Sequence, residues 1–218
     1  MQIISYSLWG NTPKYTIGAI KNAELAQSIY PGWISRFYVS RCVPESILTE
    51  LNSIYNTQVI LVDDEANWSG MFWRFRPAFD NNTQTVIIRD TDSRLSFREK
   101  IAVDEWLTSD KDFHIMRDHP FHNTYIMGGM WGCRNNILNK LNIIMQIPEN
   151  NNFWQVDQNF LRDYVYNKVK EYSFIHDSYR LMGEPNAKSF PCDRINNGFV
   201  GEIYDEFNYR HSDHYTLL

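Results

Sequence analysis

Two carboxylates one residue apart, Asp90 and Asp92, are the side chains whose type and spacing best suit chemistry. They follow a run of branched aliphatic residues, 86–88, which is typical of a buried parallel strand. Ligands of open α/β sheets bind at the carboxyl ends of the strands, so we expect both side chains to face a site. Carboxylate oxygens at this spacing can hold a hard divalent cation, which can neutralise a diphosphate. The motif therefore predicts a metal site with Asp90 and Asp92 as ligands.

A second pair with the same spacing, Asp110 and Asp112, has a different setting. It lies in a polar stretch, 108–112, that is typical of a solvated loop after a helix. Short motifs depend on their context, and only the first pair follows an apolar strand. The second pair therefore serves as an internal control for the first.

Strand and helix patterns alternate through the first half of the chain. Thr12 and Pro13 form a helix start, and Pro31 with Gly32 ends that helix. The sequence predicts strands over 2–8, 33–40, 58–62 and 86–88, with helices over 13–30, 44–55 and 68–79 between them. This β-α-β-α-β-α-β order predicts an α/β fold with a mostly parallel sheet and helices on both faces.

The second half is less regular. Ser96 and Glu99 form a capping-box pattern, which predicts a helix that runs to about residue 108. We also expect strands over 113–116 and 172–175, helices over 135–145 and 155–168, and an irregular, glycine-containing stretch over 118–133. Beyond residue 184 the pattern is weak, and we expect disorder after residue 208.

Composition narrows the function classes. The chain has 218 residues, which fits one domain, and no apolar run near the 18 residues that a membrane span needs. Its net charge of −5 argues against nucleic-acid binding. The first residues predict a strand and not a signal peptide. Three widely spaced cysteines, Cys42, Cys133 and Cys192, favour a reducing compartment, so a cytoplasmic location is expected.

The order of these parts resembles the GT-A glycosyltransferases, in particular the small GT-A domain of chlorovirus-type and related bacterial enzymes. The segments that carry the resemblance are 15–23, 72–75, 89–94, 118–120, 128–132, 190–191 and 199–202. The resemblance covers nearly the whole chain. It implies one GT-A domain over 1–218, with a nucleotide-binding half to about residue 95 and a sugar and acceptor half over about 96–210.

The resemblance implies transfer of a sugar from a nucleotide-diphosphate sugar, usually a UDP-sugar, to a glycan or other hydroxyl acceptor. Retention of the anomeric configuration is favoured, with Mn²⁺ or Mg²⁺ as cofactor. The use of a metal ion also has a physical reason that does not depend on the resemblance. Negative charge grows on the diphosphate as the glycosidic bond breaks, and a metal ion stabilises that charge. Related retaining enzymes take a further metal ligand from late in the chain. His176 is the candidate here, against the alternative of a structural histidine at a strand end.

The same resemblance assigns roles to other side chains. Arg74 is expected to hold phosphate through its planar fork, while Arg76, two residues on, faces solvent. Asp157, with Gln158 beside it, is expected to act in catalysis, although Asp157 can equally be a helix cap. Asp118 is a further catalytic candidate. The other residues expected to bind the donor are Ser5, Tyr6, Leu8, Tyr15, Asp90, Arg98, Gly129 and Trp131.

Two other functions stay open on the sequence alone. A phosphohydrolase of the haloacid dehalogenase type also uses Asp-x-Asp, but places it after the first strand, whereas here it follows the fourth. A non-catalytic module that binds a nucleotide sugar or carbohydrate is the second alternative. UDP release from UDP-sugars, with and without Mn²⁺, separates the three.

Overall fold

The structure is a computed structural model that describes residues 1–64, 66–147 and 152–211. The strands are β1 (Gln2–Leu8), β2 (Ile34–Ser40), β3 (Thr57–Val62), β4 (Thr85–Ile88), β5 (Phe113–Arg117), β6 (Trp131–Arg134) and β7 (Ser173–Asp177). The α-helices are α1 (Pro13–Ile29), α2 (Glu45–Ser53), α3 (Phe97–Thr108), α4 (Ile137–Lys140), α5 (Val156–Phe160) and α6 (Tyr166–Val169). Turns of 3-10 helix cover Trp68–Phe79 and Lys170–Tyr172, and a π-helical turn covers Leu161–Val165.

The seven strands form one sheet in the order β3-β2-β1-β4-β6-β5-β7. Every neighbouring pair is parallel except the two pairs that β6 makes, with β4 and with β5. Ile3 and Ile4 of β1 belong to separate apolar clusters, one on each face of the sheet. The prediction of a mostly parallel sheet with helices on both faces is confirmed. Because β6 alone is reversed, the carboxyl ends of β1, β4, β5 and β7 lie along one edge.

Two predicted helix starts are only partly confirmed. Thr12 is the residue before α1, but its side chain makes no capping hydrogen bond. Ser96 does cap α3, because its Oγ accepts from Glu99 N at 3.2 Å. In a complete capping box the Glu99 side chain would also accept from the backbone N–H of Ser96. Here Glu99 Oε1 instead accepts from Arg89 Nε at 2.8 Å in the protein interior.

Three expectations for individual elements need correction. The helix expected over 135–145 shrinks to the four residues of α4, because Asn135, Asn136 and Asn142 have left-handed backbone conformations that no α-helix accommodates. β6 begins inside the stretch expected to be irregular and ends one residue beyond it. The helix expected over 68–79 has the predicted bounds but 3-10 geometry.

The last described segment packs against the turn that carries Asp90 and Asp92. Ser93 bridges to Ile203, and Tyr204 N donates to Asp92 O at 2.8 Å. Most of the tail expected to be disordered, residues 212–218, lies outside the described residues. In the part of the chain that is described, no helix has the length and apolarity needed to cross a membrane.

A carboxylate and arginine cluster as the candidate functional site

Asp90, Arg74 and Asp157 form one charged cluster at the end of β4. Arg74 donates through Nη1 to Asp90 Oδ1 and through Nη2 to Asp157 Oδ2, the latter at 2.7 Å. Arg74 and Asp157 are buried, whereas the Asp90 side chain is 44% exposed. The 3-10 helix that carries Arg74 is tied to β1, because Arg74 N donates to Ser7 Oγ at 2.9 Å. The cluster therefore joins three elements and leaves one carboxylate open to a ligand.

Gly128 and Gly129 lie directly against this cluster. A Cβ at Gly129 would come well under 3.0 Å from Asp90 Oδ2, and a Cβ at Gly128 would also come under 3.0 Å from Asp157 Oδ2. The same Cβ at Gly128 would lie 2.9 Å from Arg74 Nη2. Only glycine lets the backbone approach the three charged groups this closely. Gly129 was predicted to bind the donor, and the structure brings it beside Asp90.

Asp92 has a cationic partner of its own. Lys14 Nζ, in the first turn of α1, lies 2.8 Å from Asp92 Oδ2. Burial, reinforced by the nearby charge of Asp90, raises the pKa of the Asp92 carboxyl above its ordinary value, although Lys14 opposes the shift. The two carboxylates of the motif thus repel each other, and a cation between them would relieve that repulsion.

Asp157 is held in an equally unfavourable setting for a charge. Burial raises the pKa of its carboxyl, Arg74 opposes the shift, and Asp90 adds to it. Asp157 Oδ1 accepts from Gln158 N at 2.9 Å, within the first turn of α5. Arg74 therefore serves two carboxylates at once, and their charges together raise the pKa of the guanidinium in spite of its burial.

The donor set fits a divalent cation that shares its coordination with a ligand. Among the described residues, no group of three or more His, Cys, Asp or Glu side chains is arranged to hold a metal ion. Mg²⁺ is commonly bound by one or two carboxylates, with substrate phosphates and water completing the shell. Asp90 and Asp92 match that arrangement. With Asp157, Arg74 and Lys14 the cluster has three negative and two positive side chains, so its formal net charge is −1, and a divalent cation would make that charge positive.

His176 is not part of this cluster, so its assignment as a metal ligand is wrong. Its side chain is fully buried, with Nδ1 2.9 Å from His114 Nε2 and Nε2 3.0 Å from Glu105 Oε2. Both ring nitrogens are therefore used in hydrogen bonds. Burial lowers the pKa of both imidazoles, which favours their neutral forms.

Asp118 and Arg98 pair with each other and not with the cluster, which corrects both of their predicted roles. Arg98 Nε lies 2.7 Å from Asp118 Oδ2, and its Nη2 lies 2.9 Å from Oδ1. Ser178, Arg194 and the backbone of Val200 donate to the same buried carboxylate. These five hydrogen bonds leave Asp118 no free oxygen for an acceptor, and they hold its pKa below the ordinary value despite burial.

Four residues predicted to line the donor pocket have buried side chains instead. Trp131 is 1% exposed and stacks on Phe113 with ring centroids 5.3 Å apart, so it is a core residue. Tyr6 is equally buried and stacks on Phe37. Ser5 and Leu8 are buried as well. None of these four side chains offers an exposed face to a base or sugar. Tyr15, in contrast, is 37% exposed beside Lys14, and its role stays a prediction.

Three functional candidates were missed from the sequence: Ser7, Lys14 and Asn22. Asn22 had a detectable signal, because it lies on the helical face that also carries Ala19, Ala23 and Ala26. A polar side chain on an otherwise apolar face needs a buried partner. Lys14 and Ser7 carried no such signal.

No protein-family model and no curated protein matches this chain. Several solved structures do match this chain. A glycosyltransferase involved in glycosylation of the major capsid of PBCV-1 is 18% identical, with a TM-score of 0.50 over 82% of each chain. Staphylococcus aureus TarS (1–349) gives 0.52 at 11% identity, over 78% of this chain and 55% of that one. Mycobacterium tuberculosis glucosyl-3-phosphoglycerate synthase gives 0.52 at 12% identity, over 78% and 68%. The chain has the GT-A fold that these glycosyltransferases share.

Proposed function

We propose that this protein is a metal-dependent glycosyltransferase. It moves a sugar from a nucleotide-diphosphate sugar, most simply a UDP-sugar, to a hydroxyl of a glycan or similar acceptor, with retention of configuration. The observation that carries the proposal is the Asp90–Arg74–Asp157 cluster, which lies at the carboxyl edge of a GT-A sheet. Residues 1–95 would bind mainly the nucleotide, and 96–210 the sugar and acceptor.

Asp90 and Asp92 would hold Mn²⁺ or Mg²⁺. When bound, the ion supplies positive charge that stabilises the diphosphate as it leaves. Without it the cluster of five charged side chains is net negative, which opposes binding of an anionic donor. Lys14 and Arg74 already lie beside the two carboxylates, and both can contact phosphate oxygens: Lys14 as a point charge and Arg74 as a fork. Tyr15 would border the base.

Asp157 would act on the sugar. During transfer the bond between the anomeric carbon and the diphosphate oxygen breaks, and the electron pair leaves with the nucleotide. A bond to the acceptor oxygen forms, and the acceptor proton passes to the departing diphosphate. Positive charge develops on the sugar ring, and the Asp157 carboxylate, fixed by Arg74 at 2.7 Å, would stabilise it. Gln158, next in the chain and half-buried, would hydrogen-bond a sugar hydroxyl.

The test is UDP release from a panel of UDP-sugars with and without Mn²⁺. We expect release from at least one donor that depends on Mn²⁺ and is accelerated by an acceptor. Tight UDP-sugar binding with no release from any donor would favour a binding module instead. Hydrolysis of p-nitrophenyl phosphate would favour a phosphohydrolase.

A further inference from the structure

Helix α1 packs directly onto the turn that carries the two carboxylates. A Cβ at Gly18 would come well under 3.0 Å from Thr91 O and 3.1 Å from Thr91 C, so no larger residue fits there without moving the turn. One helical turn further on, Asn22 reaches the same stretch of backbone with a side chain that is 1% exposed. Besides the Lys14–Asp92 ion pair, the helix and the turn therefore meet through one small residue and one buried amide.

Asn22 uses both of its amide N–H donors and its carbonyl oxygen on this turn. Its Nδ2 donates to Thr91 O at 3.2 Å and to Ser93 O at 2.8 Å. Its Oδ1 accepts from Leu95 N at 3.0 Å. A primary amide has two N–H donors and one carbonyl oxygen, and here each of them contacts the backbone of residues 91–95.

The residues that Asn22 holds alternate with the two carboxylates. Thr91 lies between Asp90 and Asp92, and Ser93 follows Asp92 directly. The turn lies outside the β-ladder, so its backbone conformation depends on contacts of this kind. On its other side Tyr204 N donates to Asp92 O at 2.8 Å. The backbone that carries the two carboxylates is thus held by α1 on one side and by the C-terminal segment on the other, and Arg94 Nη1 also donates to Ser93 O at 3.0 Å.

We propose that Asn22 is a positioning residue for the carboxylate pair. It holds Asp90 and Asp92 at the separation that a divalent cation requires before the cation arrives, so that binding does not have to order the turn. This inference rests on the proposed function. Groups that orient metal ligands without touching the metal typically change metal affinity by about 10- to 100-fold when removed.

The experiment compares Mn²⁺ affinity, by electron paramagnetic resonance in the presence of UDP, among wild-type protein, Asn22→Ala, Gly18→Ala and Thr16→Val. Thr16 is a buried polar residue of the same helix whose hydroxyl donates to the backbone of Thr12 and Pro13 at the start of α1, so its variant controls for a local loss of stability. We expect Asn22→Ala to weaken Mn²⁺ binding about 10- to 100-fold, and Thr16→Val to leave it unchanged. Raising Mn²⁺ should restore turnover in Asn22→Ala, because the carboxylates themselves remain.

Gly18→Ala pushes on the Thr91 carbonyl without removing the Asn22 amide. It therefore tests whether the position of this turn sets the Mn²⁺ affinity, even where Asn22→Ala folds poorly. It should also weaken Mn²⁺ binding. Asp92→Ala is the reference for a lost ligand. If Asp92→Ala loses Mn²⁺ while Asn22→Ala and Gly18→Ala bind it like the wild type, the positioning role is overturned and the proposed function stands. A wild-type protein that binds no Mn²⁺ overturns both.

Discussion

Alanine substitutions at Gly128 and Gly129 separate the two proposed roles of the site most sharply. These roles are metal binding by Asp90 and stabilisation of the sugar ring by Asp157. Neither glycine has a positive φ angle, so alanine fits the backbone conformation at both positions. The added methyl group would meet Asp90 in Gly129→Ala and Asp157 with Arg74 in Gly128→Ala. The two variants therefore add the same atom at adjacent positions and press on different carboxylates.

The displacement can be bounded from the geometry. Ordinary contacts of a Cβ begin at 3.4 Å, and the Gly129 Cβ would lie under 3.0 Å from Asp90 Oδ2 and 3.0 Å from the Asp90 backbone nitrogen. The carboxylate must therefore retreat by about half an ångström or more, which exceeds the roughly 0.2 Å tolerance of a metal–ligand distance. We expect Gly129→Ala to weaken Mn²⁺ binding at least about 10-fold, or ~1.4 kcal/mol.

Gly128→Ala should behave differently, because its methyl group presses on Asp157. We expect turnover to fall about 100-fold, while Mn²⁺ affinity stays within about threefold of the wild type. Both variants should lose about 1–3 kcal/mol of stability from overpacking, which makes each the stability control for the other. The assays are Mn²⁺ titration, steady-state turnover and thermal melting. Equal effects of the two variants on Mn²⁺ affinity would refute the assignment of separate roles to Asp90 and Asp157.

Three further predictions concern single side chains. Asp157→Asn keeps the shape and an oxygen that can accept from Gln158 N but loses the charge, so kcat should fall about 100-fold with little change in donor KM; near-normal turnover would make Asp157 a structural residue. Arg74→Lys should weaken UDP binding because an ammonium replaces a fork that serves two groups, and calorimetry that finds equal affinities would contradict this. Burial lowers the pKa values of His114 and His176, so the free energy of unfolding should fall as the pH drops below about 6.5, where the unfolded chain binds protons that the folded imidazoles do not. His114→Phe should show a shallower decline in thermal melts between pH 7.5 and 5.5, and an equal slope would argue against the buried neutral form.

Local patterns were enough to predict the elements of the first half and the position of Asp90. The strand that precedes Asp90 is a plain apolar run, and the parallel order of the sheet then places its carboxyl end at the ligand edge. The pairing of Arg74 with Asp90 and Asp157 could not be predicted from the sequence. Asp157 is 83 residues from Arg74, and the two side chains meet only through the tertiary fold.

The assignments of His176 and Trp131 failed for the same physical reason, which is that the sequence does not show which face of a strand a residue occupies. His176 shares its side of β7 with Phe174, which packs against the apolar cluster under α1 and α3, and that places the imidazole inside the protein. Trp131 lies in a four-residue strand that contains a glycine, too short for a period of two to be visible. Its neighbour on the same face, Cys133, is also in the core.

The most direct test of the metal-dependent site is a calorimetric titration of UDP, with Mn²⁺ or with EDTA, into wild-type protein, Asp92→Ala and Asp112→Ala. Asp112 has the same spacing to its partner aspartate, but it bonds Asn135 at 2.8 Å on the surface, away from the cluster. We predict Mn²⁺-dependent binding by the wild type and by Asp112→Ala, and its loss in Asp92→Ala with an unchanged melting temperature. Wild-type affinity in Asp92→Ala, or UDP binding that EDTA leaves intact, would contradict the metal-dependent site.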